Sequence, residues 1–131
     1  MLMKKIVAVV LILLLTAGFA IAKPYEVSKK AGSYGVDVKI DKNPPVVGPN
    51  NMEIVVKDAA GKIVTDAQVL VDYGMPAMPG MPAMFYKADA QLKGDKYTAM
   101  LNISMKGPWH VSVKITHQGK TVSTKFTFDV T

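Results

Sequence analysis

The chain has 131 residues, no cysteine, and a formal net charge of +6. Every basic residue is a lysine. Without cysteine there can be no disulfide and no lipid-modified N-terminal cysteine, so an exported form must be held by packing alone. Without arginine the chain lacks the bidentate side chain that nucleic-acid readers lean on. The lysines read as a solvated surface, and no nucleic-acid partner is expected.

The first residues carry an export signal. Lys4 and Lys5 form a positive start, Ile6 to Leu15 are unbroken apolar residues, and Ala20-Ile21-Ala22 fits a small-x-small cleavage pattern. Residues 1–22 are therefore read as a signal peptide, with the mature chain starting at Lys23. The alternative is an uncleaved anchor, because Ile6 to Ala22 meets the short limit of the roughly 17–25 residues needed to cross a bilayer. Membrane association is expected only in that case. The expected location is periplasmic or otherwise extracytoplasmic. About 110 residues remain after cleavage, enough for one domain with a core.

Residues 23–33 are polar and read as a flexible lead-in. Tyr34 to Ile40 alternates apolar and polar residues, the mark of a half-buried strand. Prolines, glycine and paired asparagines make residues 41–51 a loop. Met52 to Asp58 is the second strand and Ala67 to Tyr73 the third, with a turn near Gly61 between them. A fourth is predicted from about Met84 to Lys93, with Met84, Tyr86, Ala88, Ala90 and Leu92 facing in. Gly94-Asp95-Lys96 is a tight connection to Tyr97–Ile103. The last two strands begin at Trp109 and after Lys120, each strictly alternating. Seven short strands with no helical period predict an all-β, immunoglobulin-like β-sandwich of about seven antiparallel strands over residues 34–131.

Consecutive strands run in alternating directions, so every second connection lands at the same end. Loops 41–51, 74–83 and 104–108 should share one end. Apart from Met1, Met3 and Met100, every methionine then maps there, with Trp109 and His110, while His117 maps to the other end.

The most unusual stretch is the loop 74–84, where Met75, Met78, Met81 and Met84 recur every third residue with a proline after each of the first three. Proline excludes helix interior and central strand. The segment should run as polyproline II, with the methionines along one edge, or as a stiff, turn-broken loop. In the extended form, neighbouring sulfurs would stand roughly 9 Å apart along the axis, too far for one ion unless the loop bends. Gly80 is the natural bend, since glycine accepts positive φ.

Thioether sulfur is soft and needs no deprotonation, so such a row selects Cu(I) over zinc, calcium or magnesium. The candidate ligands are Met75, Met78, Met81, Met84 and Met105. His110 could add a nitrogen, and Trp109 a ring face over a bound cation. Met52 and Met84 lie in phase with core residues and also read as packing. Two further readings use the same loop: an adaptable contact surface for a partner, or a cap on the open end of the sandwich. No nucleophile is paired with a base and the two histidines map to opposite ends, so no enzyme is expected.

The signal, the Met-Pro loop after a strand, Gly94-Asp95-Lys96-Tyr97 and Lys106-Gly107-Pro108-Trp109 resemble the YtkA-like domain, related to FixH-like proteins. The resemblance covers residues 32–130. It implies an immunoglobulin-like extracytoplasmic domain associated with copper or other cation handling, or with assembly of respiratory oxidases. It extends the metal role to Met75, Met78 and Met81. FixH-like proteins keep a membrane anchor, from which the cleavage pattern at Ala22 departs. The function expected is Cu(I) carriage through the methionine loop, with a copper donor or acceptor protein or a membrane complex as partner. The alternative is a non-metal interaction module accessory to a membrane or respiratory complex.

Overall fold

A computed structural model describes residues 24–131. The signal-or-anchor reading of residues 1–22 lies outside the described residues. Nine strands form two antiparallel sheets: β1 (Tyr25–Ala31), β2 (Tyr34–Ile40), β3 (Gly48–Lys57), β4 (Gln68–Met75), β5 (Met84–Asp89), β6 (Gln91–Lys93), β7 (Lys96–Ile103), β8 (Gly107–His117) and β9 (Lys120–Val130). One sheet has the order β1-β2-β3-β7-β6 and the other β5-β4-β8-β9. The two pack as a β-sandwich, the expected class.

The alternation read from the sequence is what builds the core. Val36, Val38 and Ile40 face Met52, Ile54 and Val56, while Val69, Val71 and Tyr73 line up with Val111, Val113 and Ile115. Trp109 is fully enclosed. Its indole N–H donates to the Met105 carbonyl at 3.0 Å, which removes the cost of burying that donor.

Three expectations are corrected. The lead-in at 23–33 is instead largely β1, paired along its whole length with β2 from Tyr25↔Ile40 to Ala31↔Tyr34. Its polar character is that of a sheet edge, where charge discourages further pairing. The single fourth strand is two. It leaves the four-stranded sheet at Ala90, whose N–H donates to the Val69 carbonyl at 3.0 Å, and joins the other sheet as β6. Leu92 is consequently exposed rather than inward. Finally, β3 starts at Gly48, inside the predicted loop. Pro49 is tolerated there because β2 pairing stops at Met52, so the missing N–H interrupts no bond to β2. Asn50 is wholly buried, with its amide bonded to Val46 and Gly48 carbonyls at 2.7 and 3.0 Å and its Oδ1 accepting from Val46 N–H.

Candidate metal site

Connections 41–47, 76–83 and 104–106 do share one end. Tyr86 on β5 donates to Ser104 across them at 3.3 Å, and Gly48 pairs with Ile103. The methionine loop is not polyproline II. Met78 and Met81 exchange two backbone hydrogen bonds, 3.0 and 2.8 Å, around Pro79-Gly80. Gly80 has φ 80°, which the third position of a type II turn requires. Met75 pairs with Met84 at the end of the β4–β5 ladder. The sequence Met-Pro-Ala-Met therefore folds back on its own repeat, and the methionines meet in pairs about the turn.

A doubly bonded antiparallel pair holds its Cα atoms about 5.5 Å apart, with both side chains on the same face. Met78 and Met81 thus stand closer than an extended loop would hold them. Both are half-buried, and Met78 packs against the core edge.

The remaining candidates separate by environment. Met75 is 2% exposed and belongs to the core, its methyl lying where a Gly107 side chain would go. It does not hang free with Met78 and Met81, because β4 runs two residues further than the expected end at Tyr73 and carries it inside. Met84 is half-buried. Its sulfur faces the hydroxyls of Tyr86 at 3.7 Å and Ser104 at 4.0 Å. Met105 is also half-buried against the core. Beneath them Tyr73, Tyr86 and Trp109 form an aromatic layer with centroids 5.4 to 6.1 Å apart. Trp109 has no accessible ring face to offer a cation. His110 is exposed on the outer face of the four-stranded sheet, opposite Trp109, because neighbouring strand residues point to opposite sides. The fold does not add it to the inner-face thioethers. Among the described residues no group of three or more His, Cys, Asp or Glu is placed to hold a metal ion.

Sequence reasoning gave no structural role to two glycines that shape this end, although Gly107 stands in the Lys106-Gly107-Pro108-Trp109 motif. A Cβ on Gly74 would run into the Met84 backbone carbonyl, so only glycine lets β5 come this close. Gly107 has φ 132° and abuts the Met75 methyl.

Fold and site together define a small two-sheet β-sandwich with a methionine hairpin at one end. The YtkA-like family pattern matches residues 28–114, and the chain belongs to that family. No curated protein and no solved structure matches it.

Proposed function

We propose that this is an exported protein that binds Cu(I) through its methionine hairpin and acts as a carrier or donor of that ion. The observation that carries the reading is the doubly bonded Met78–Met81 pair, which brings two soft sulfurs within reach of one ion on a stiff turn. Met84 and Met105, half-buried at the same end, are the further candidate thioether donors, and Met75 holds the hairpin from inside. Copper here is cargo. Neutral sulfur ligands hold it without proton release, which suits transfer across a range of pH.

The test is a titration of the mature chain with Ag(I) or Cu(I), followed through 13C-labelled methionine methyl signals. Met78 and Met81 should shift first, and Met52 and Met100 should stay still. A Met78→Leu, Met81→Leu variant should keep its fold and lose the shifts. Metal binding unchanged in that variant, or a titration without specific shifts, overturns the reading.

A further inference from the structure

The two outside strands of the four-stranded sheet differ in how they are covered. At β9, Tyr25 of β1 packs on Phe126 and Phe128 and donates to the Thr127 carbonyl at 3.5 Å. Among the described residues β5 has β4 as its one strand neighbour. Ala90 N–H donates to the Val69 carbonyl, in line with the β4–β5 register, so that pair exchanges ladder bonds and so does every second pair from it. Met84, Tyr86 and Ala88 therefore turn their backbone groups toward β4. The N–H and C=O groups of Phe85, Lys87 and Asp89 point to the open side.

An open edge is a template for another strand, and folded proteins guard it with proline, a bulge or charge. β5 has no proline, its register with β4 is unbroken, and Lys87 is the one cation along it. Its apolar side chains are in the open: Phe85 is 86% exposed and Tyr86 36%. Leu92 of β6, the edge of the other sheet on the same side, is 45% exposed. A second β5 answers this edge. Antiparallel pairing about Tyr86 sets Phe85 opposite Lys87 of the partner subunit, and by the twofold Lys87 opposite Phe85 of the partner subunit, both as bonded pairs in which ring and ammonium attract. The neighbouring registers fail. Pairing about Lys87 sets two lysines face to face. Pairing about Ala88 runs Phe85 against Gln91, where the chain has already crossed to the other sheet. Pairing about Phe85 pushes Asp89 onto the methionine turn.

We infer that β5 is a self-association edge, through which two copies of this chain join antiparallel about Tyr86 into one eight-stranded sheet. The two Tyr86 residues meet on the twofold as a non-bonded pair, with Cα atoms about 4.5 Å apart. They extend the stack that Tyr86 makes on Tyr73. The antiparallel joint leaves the two methionine hairpins at its opposite ends, so it does not depend on metal.

Sedimentation equilibrium of the mature chain without metal should show a concentration-dependent dimer. Phe85→Lys places like charges opposite each other twice and should weaken it about tenfold or more. Met100→Lys, at an exposed position on the outer face of the other sheet, should leave it unchanged. The register is read by disulfide trapping, since the chain has no cysteine of its own. Tyr86→Cys, treated with diamide, should give a disulfide dimer, because its two Cα atoms lie within the span of that bond. Ala88→Cys should not, its two copies standing about 14 Å apart by strand rise. A chain that stays monomeric up to about 1 mM overturns the inference. So does a dimer indifferent to Phe85→Lys, or one that cross-links through Ala88→Cys and not through Tyr86→Cys.

Discussion

Tyr34 Oη lies 2.7 Å from Nδ1 of His117, and the two rings meet edge-on at 5.6 Å and 85°. The contact joins β2 of one sheet to β8 of the other, at the end away from the methionines. The other ring nitrogen of His117 lies 2.8 Å from Asp66 Oδ1 in the β3–β4 connection. Tyr34 is nearly buried and Asp66 largely exposed, so the inner bond should count for more than the outer one. Tyr34→Phe should lower unfolding stability by about 1 kcal/mol, and Asp66→Asn by less than about 1 kcal/mol. A double-mutant cycle of Tyr34→Phe with His117→Ala, read by urea denaturation, should give a coupling of about 1 kcal/mol. Additive losses would show that the bond contributes nothing.

The methionines should divide by stability. Met75→Ala empties a core position and should cost about 2–5 kcal/mol, whereas Met75→Leu should cost under about 1.5 kcal/mol. Met78→Leu and Met81→Leu should each stay within about 1.5 kcal/mol of the parent, because both side chains are only half-buried and the swap nearly conserves volume. Thermal unfolding of the four variants without metal checks this. Equal losses at 75 and 78 would mean the hairpin is docked as a cap along its whole length.

Gly74→Ala and Gly107→Ala should both destabilise, by different routes. At Gly74 the obstruction is the Met84 backbone, so the β4–β5 ladder must part at its tip. Hydrogen exchange should then accelerate at Gly74 and Phe85, whose positions face each other. At Gly107 the obstruction is the end of the flexible Met75 side chain, but the positive φ remains strained by about 1–3 kcal/mol. Adding Met75→Ala to Gly107→Ala should therefore fail to restore stability. Full recovery would show that the clash, not the backbone, was the cost.

Burial raises the Tyr25 phenol above its ordinary value of 10.0. Its ring sits against Phe126 and Phe128, with centroids 6.3 and 5.8 Å away. Folding thus favours the neutral phenol. That contribution is whole below the unfolded value and is lost as pH rises through the folded one. Stability should fall above pH 10, and Tyr25→Phe should flatten part of that fall. Parallel pH–stability curves for the two proteins would rule the linkage out.

Strand alternation was legible wherever one face meets the core, because period two and burial are the same fact seen twice. Thus β2, β7, β8 and β9 lie where their patterns put them. The edge strand β1 was hidden because an edge needs few apolar residues, and the break at Ala90 because switching sheets leaves the local pattern unchanged. At the methionine loop, residue type named the soft-ligand chemistry and Gly80 named the bend.

The sequence alone determined the all-β class, the end of the molecule at which the methionines gather, and the donor type they present. All three follow from local chemistry and from the alternation of strand direction. Only the tertiary structure decided which sulfurs face outward. Met75 and Met78 look alike along the chain, but one is the last rung of a ladder against Gly107 and the other the first residue of a turn. That difference arises from contacts with residues tens of positions away, which local spacing does not record.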